Sequence, residues 1–308
     1  MSFLISGTHI DPIYLMGVGF VVGMLGGFFG VGGSFLAGPA LFAVGVPMNF
    51  VVGTDLAHIV GKSIVAARKH RTLGNVDMKL AAIMVVGTIA GVEIGADVIQ
   101  MLKHGKYINW VVGITFIVIL SAISVFMTWE TVRTFKVFGR KKSAQSQETH
   151  PSGRDRSAFA HIAKKLQSIG LPPFVSLPVS GIARISIWTI LVVAFVGGFF
   201  SGFLGGGAGY IRMPCMIYLL GIPTHIAVGT DLFEIIISAG YGTISHALKG
   251  NVDILIALVM HTGAAIGAQI GATCTQFLTG PRIRMAFIPL PLIGAIIVLH
   301  GLLAGHPH

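Results

Sequence analysis

Charge is what this chain has least of. Lys, Arg, Asp and Glu make up 10% of its 308 residues, where soluble globular domains carry roughly 25%. Apolar residues make up 54% and the mean hydropathy is +0.84. That balance excludes a soluble domain and predicts an all-α integral membrane protein, since runs of about 20 apolar residues are what a helix needs to cross hydrocarbon. Cysteine is also scarce. Cys215 and Cys274 both lie in apolar segments, which excludes a disulfide framework and a thiolate metal site, so no metal and no cofactor is expected. Neither His-Glu-x-x-His nor Gly-x-Ser-x-Gly occurs. With no nucleophile–base or metal constellation, no catalytic residue and no enzymatic activity is expected. No basic stretch precedes the first apolar run, so a cleaved signal peptide is not expected. The formal charge of +10 does not point to nucleic acid. The basic residues cluster in a few loops beside apolar runs, the pattern that marks the cytoplasmic side of a membrane.

Apolar runs long enough to span fall at 13–29, 50–67, 80–99, 108–129, 187–204, 226–246, 254–274 and 285–303, which predicts eight full spans. The pieces 35–43 and 211–220 are too short to cross unaided and read as half-helices or re-entrant segments. This divides the chain into a first transmembrane repeat (1–129), a basic linker (130–185) and a second repeat (186–308). In the linker, Phe159, Ile162, Ala163, Leu166 and Ile169 stand at helical spacing beside Lys164 and Lys165. An amphipathic helix on the inner leaflet and a solvated linker both fit that pattern.

The two halves repeat one unit. Residues 26–55 recur as 202–231, and adding 176 carries Gly45, Pro47, Gly53, Thr54, Asp55, Leu56, His70, Gly74, Asn75, Val76 and Asp77 onto identical residues. In each copy an apolar run enters a glycine cluster, Gly30, Gly32 and Gly33 or Gly205, Gly206 and Gly207. Such clusters release backbone from helical geometry and free N–H and C=O groups. In hydrocarbon those groups are tolerated only where protein buries them or a polar cavity receives them. The duplicated break is therefore the expected substrate site. Four crossings per repeat would make the copies parallel and five would make them inverted. Loop charge favours inversion, with Arg282 and Arg284 on the side of the linker and Lys249 opposite. Gly87, Gly91 and Gly95, matched by Gly263, Gly267 and Gly271, read as close helix contacts.

An anion is the expected ligand. Half-helix starts favour negative charge. Arg212 stands just after the second glycine cluster, where binding the oxygens of an anion as a guanidinium binds phosphate, and reaching headgroups from a surface re-entrant segment, are the alternatives. Lys62 lies within a span, where binding an anion and snorkelling to the interface are the alternatives. Thr54 and Thr230 belong to the duplicated Val-Gly-Thr-Asp-Leu motif beside the break. A second constellation is acidic. Asp55, His58 and Lys62 are spaced three and four apart on one stripe, with Asp231, Glu234 and Ser238 equivalent to them. Glu93 and Gln269 are placed at the level of the two aspartates on the following span. Proton coupling by Glu93, Asp55 or His58 is the functional reading. For Asp55 and Asp231, capping of a helix start is the favoured structural alternative.

The paired glycine break, the Gly-x-Pro turn and the Gly-Thr-x-Leu sequence, repeated in two four-span halves around a basic loop, resemble the TauE/SafE sulfite exporter family, also called the TSUP permeases. The similarity covers nearly the whole chain outside the linker. It implies a secondary transporter of small sulfur-containing anions, such as sulfite, sulfoacetate or other organosulfonates, working without ATP in the inner membrane. Members often have serine after Gly-Thr, where this chain has Asp55 and Asp231. The expected partners are the anion and the lipid bilayer, with homo-oligomerisation left open. An anion channel, or a permease for another small anion or carboxylate, is the alternative; a channel would be expected to use oligomeric rather than internal symmetry. A scaffold for partner proteins would not need buried Arg212, Lys62 and Glu93.

The charge pattern predicts a cytoplasmic linker. Cysteine introduced at Ser143 or Ser152 should resist impermeant thiol reagents in intact cells and react in inverted vesicles. Labelling from outside would reverse the orientation.

Overall fold

The computed structural model describes residues 2–3, 6–103, 105, 107–142 and 171–304. The first half contains α1 (Pro12–Phe29), α2 (Ser34–Ala43), α3 (Met48–Thr72), α4 (Met78–Leu102) and α5 (Ile108–Lys142). The second contains α6 (Ile187–Leu204), a 3₁₀ turn (Gly206–Ala208), α7 (Gly209–Cys215) running into a π-helical turn (Met216–Leu220), α8 (Thr224–Leu248), α9 (Ile254–Cys274), α10 (Gly280–Phe287) and α11 (Pro289–Leu303). Two antiparallel hairpins precede the halves: β1 (Ser2–Phe3) with β2 (Thr8–His9), and β3 (Phe174–Leu177) with β4 (Ile182–Ser186). The linker helix considered for 159–169 lies outside the described residues.

Local sequence sets the ends of these helices. Asp11 caps α1 by accepting from the Ile13 N–H at 2.9 Å, with Pro12 at the first helical position. Gly30 stops the helix in the left-handed conformation, at φ 75°. Both Gly-x-Pro turns launch the next long helix directly, because proline fixes φ and cannot continue the preceding one. Among the described residues seven helices are long and apolar enough to cross a membrane, one fewer than the eight expected. The expected span at 226–246 does form the continuous helix α8, but it is not among the seven. It carries Asp231 and Glu234, both 0% exposed, and packs inside the molecule where apolarity is not demanded of it. The final expected span, 285–303, is divided into α10 and α11 at Ile288 and Pro289.

The halves interlock through glycine. Gly19, Gly23 and Gly27 of α1 lie against the backbones of Met260, Ala264 and Ala268 of α9, and Gly263, Gly267 and Gly271 of α9 lie against Met16, Phe20 and Met24 of α1. The residue numbers rise together, so the two helices run parallel. α4 and α6 repeat the arrangement, with Gly87, Gly91 and Gly95 against Leu191, Phe195 and Phe199, and Gly198 and Gly202 against Thr88 and Val92. A Cβ at any of these positions would enter a facing carbonyl group, so only glycine lets the backbones approach this closely. α3 and α8 pack against each other between these pairs. Leu56 meets Gly242 near the start of one helix and the end of the other, so their sense is antiparallel. Apolar side chains such as Ile13, Val86, Val118 and Ile296 face outward, as lipid contact requires.

A reciprocal clasp closes the interlock. Asp77 caps α4 through the Leu80 N–H at 3.1 Å, while its own N–H donates to Thr230 Oγ1 at 2.9 Å. Asp253 caps α9 through the N–H groups of Leu255 and Ile256, while its N–H donates to Thr54 Oγ1 at 2.9 Å. The hairpins complete the pattern. Ser180 Oγ donates to Asp77 Oδ2 at 2.7 Å, and Ser6 Oγ donates to Asp253 Oδ2 at 2.8 Å. The hairpin before each half thus carries a serine, followed by a left-handed glycine (Gly7 or Gly181, both φ 69°), that binds the turn aspartate of the other half. The clasp predicts that Thr54→Val and Thr230→Val each lower stability by about 1 kcal/mol, the net value of one buried hydrogen bond. Thermal unfolding in detergent checks this, and the two losses should be similar because the two environments are.

Candidate functional site

The site lies where the breaks meet the two central helices. All six glycines of the clusters have positive φ, from 67° at Gly32 to 83° at Gly205, a conformation L side chains rarely adopt. Ala208 adopts it too, at φ 45°, so the second break holds a strained residue next to α7. The clusters approach protein closely. Gly30 lies against Val228, Gly205 against Val52, Gly33 against Val22 and Gly207 against the Ile235 side chain. Their lack of a side chain is therefore explained by contact with α1, α3 and α8 themselves, whether or not substrate also approaches.

Arg212, the fourth residue of α7, is 0% exposed and holds two carboxylates of α8. Its Nε donates to Asp231 Oδ1 and its terminal nitrogen pairs with Glu234 Oε2, both carboxylates being 0% exposed. Thr88 Oγ1 on α4 accepts from the same guanidinium at 3.4 Å, and Ser238 Oγ donates to Glu234 at 3.2 Å. One cation faces two carboxylates. With both ionised the cluster carries a formal charge of −1 in a low-dielectric interior, where an uncompensated charge is costly.

α3 carries a separate string. His58 Nδ1 lies 3.1 Å from Asp55 Oδ1, and Lys62 Nζ lies 2.9 Å from His58 Nε2. All three are at most 2% exposed. The three-and-four spacing thus brings these side chains into one hydrogen-bonded line, and Lys62 is not at the interface. Asp55 and Asp231 are not helix caps: each is the eighth residue of its helix, whose N-cap is Pro47 or Pro223. The Gly-x-Pro turn starts the helix early and leaves both carboxylates a full two turns inside.

Glu93 lies near the level of Asp55, as its distance from the turn implies, but it is not part of either string. It accepts from Tyr241 at 2.9 Å and Ser245 at 2.8 Å, pairs with Lys249 at 2.8 Å, and its side chain is 39% exposed. Asp97 completes this group at 3.0 Å from Lys249. Burial works against the Lys249 charge, but Glu93 and Asp97 outweigh it and hold the ammonium above its ordinary pKa. The equivalent of Lys249 in the first repeat is Leu73, which explains why Gln269, exposed on α9, need not be charged. Thr54 and Thr230, expected at the substrate, have their hydroxyl oxygens engaged by the Asp253 and Asp77 N–H groups. His70 and His246 each donate through Nε2 to a backbone carbonyl oxygen, that of Gly27 and that of Gly202. Thr88 and Tyr210 were not anticipated. Thr88 is matched by Ala264 in the other repeat, and that difference was the available signal. Tyr210, 0% exposed beside the break, has no hydrogen-bond partner for its hydroxyl among the described residues.

Comparison with known proteins fits this architecture. The profile of the family described as "Sulfite exporter TauE/SafE" matches residues 15–298. A Bacillus subtilis (strain 168) protein named as the probable membrane transporter protein YunE is 25% identical over 299 residues, covering 94% of this chain and 98% of its own length. A second from that organism, the probable membrane transporter protein YjnA, is 26% identical over 298 residues, covering 94% of this chain and 97% of its own. The probable membrane transporter protein ORF9 of a Sinorhizobium species is 34% identical over 113 residues, 37% of this chain and 42% of its own length. No solved structure is a significant match. With a family profile spanning nearly the whole of a two-fold repeated, helical membrane protein, the chain belongs to the sulfite exporter TauE/SafE family.

Proposed function

We propose that the protein is a secondary transporter that exports small sulfur-containing anions, such as sulfite, sulfoacetate or another organosulfonate, across the cytoplasmic membrane. The observation that carries this reading is Arg212, a wholly buried guanidinium on a short helix between two backbone breaks. A sulfonate presents oxygens in the spacing a guanidinium fork binds, and it can replace a carboxylate as the counterion. In the structure Asp231 and Glu234 occupy that fork. An entering anion therefore competes with them, and the carboxylates hold the site when it is empty.

The surroundings suit a moving part. α7 is bounded by Gly205–Gly207 and Gly221, contains Pro214 and continues into a π-helical turn, features that absorb changes of helix direction. The parallel pairing of α1 with α9 and α4 with α6, together with the antiparallel α3 and α8, supports inverted repeats of five crossings each. In that arrangement the linker, Arg282 and Arg284 lie on the cytoplasmic side and Lys249 faces outward. Inverted repeats that exchange access around a central site are a known basis of carriers, and coupling to protons would let the anion move against its gradient.

Calorimetry of purified protein with sulfite, sulfoacetate and isethionate tests the site. Arg212→Gln should weaken binding by about 2–4 kcal/mol, with Arg212→Lys falling between it and the wild type because charge is kept and the fork is lost. Glu234→Gln removes a competitor and should tighten binding by about tenfold, ~1.4 kcal/mol. Equal affinities in all four proteins would take the anion away from Arg212.

A further inference from the structure

The two repeats have diverged at equivalent positions. Asp231, Glu234 and Ser238 face Arg212, whereas Asp55, His58 and Lys62 form a line of their own with an imidazole between an acid and a base. We infer that Asp55, His58 and Lys62 form the proton-binding site of the carrier, holding one exchangeable proton that is released or taken up as the anion binds at Arg212. This deepens the transport reading and rests on it for the identity of the coupled anion.

Geometry fixes how the proton is held. A Lys62 ammonium can only donate, so His58 Nε2 accepts from it. His58 Nδ1 then carries the ring proton and donates to Asp55 Oδ1. Carboxylate, neutral imidazole and ammonium sum to zero charge, which is the favourable state for a fully buried group. Loss of one proton from Lys62, passed to Nε2 while the Nδ1 proton moves on to Asp55 and out, leaves the line with a charge of −1. No redox partner or co-reactant is needed. Asp55 Oδ2 is buried without a hydrogen-bond partner among the described residues, so the line ends on an acceptor that a proton would satisfy.

The second observation is the connection between the sites. Tyr210 stands two residues before Arg212 on α7, and its hydroxyl is buried without a hydrogen-bond partner among the described residues. A shift of α7 that pulls Arg212 from its carboxylates moves Tyr210 relative to Asp55. The groups facing the line are Tyr210 from α7 and His261 from α9, whose ring packs against Gly61. α8 presents the apolar Ile235 and Ala239 beside Leu56 and Ile59.

Two measurements test the inference. In proteoliposomes with a trapped pH dye and isethionate, whose sulfonate stays ionised, wild-type flux should carry protons with the anion. His58→Gln should keep isethionate counterflow within about threefold of wild type while proton movement is lost, and Lys62→Met should lose proton movement as well. Variants that still move protons at the wild-type ratio, or wild type that moves isethionate without protons, would overturn the inference. Absence of isethionate flux in the wild type would instead count against the anion reading. The proton site is then decided without any anion, by nitrogen-15 NMR of labelled histidine in nanodiscs, with His58 assigned from its loss in His58→Gln. The expected result is an Nδ1-protonated ring near neutral pH whose signal changes between about pH 5 and 9 and no longer does so in Lys62→Met. An Nε2-protonated ring, or one that is invariant with pH, would overturn it.

Discussion

Backbone-to-backbone contact through glycine is the constraint from which the rest of this structure follows. Each of the tightest contacts joins an element of one repeat to an element of the other: α1 with α9, α6 with α4, and α3 with α8. Lipid offers no hydrophobic drive for helices to associate, so close packing and hydrogen bonds must hold them. Glycines at four-residue spacing supply the first, and the Asp77 and Asp253 clasps supply the second. Because the contacts cross between repeats, the interior is shared, and the pseudo-equivalent α3 and α8 meet at its centre with their ionisable residues turned inward.

That placement accounts for the concentration of polar strain in one region. Arg212 with its two carboxylates, the Asp55 line, the left-handed Ala208 and the π-helical turn all lie around the breaks. Buried polar groups elsewhere, such as Asp77 and Asp253 with Thr230 and Thr54, serve the clasp and helix capping. Strain and buried charge of this kind persist only where the surroundings over-determine them. The outer group of Glu93, Asp97 and Lys249 differs in being partly exposed, so water screens its charges.

Much of this was legible in the sequence because it is periodic. The duplication, the short segments after the breaks, the glycine faces and the Asp55–His58–Lys62 stripe all repeat at fixed spacing. What depended on contacts between distant segments was not legible. The pairing of Arg212 with Asp231 and Glu234 joins two helices across a turn, and Thr88 joins it from 124 residues away. The role of Thr54 and Thr230 in the clasp is invisible to a reader of one repeat, since each partner lies in the other. α8 was read as a span like the others, yet its acidic residues exist because other helices shield it. The caps expected at Asp55 and Asp231 failed because a proline turn begins the helix two turns earlier than the motif suggests.

The clasping hairpins also bear on biosynthesis. Ser6 waits for Asp253 and Gly19 waits for Met260, partners synthesised some 240 residues later. The first repeat therefore leaves the ribosome with its glycine faces and its hairpin unpaired, and it must stay in the bilayer in that open state until α9 is inserted. Contacts so far apart in the chain are the slow ones to form, and the exposed intermediate is the one prone to wrong association. Chain truncation anywhere before α9 leaves α1 without the backbone it was shaped to meet.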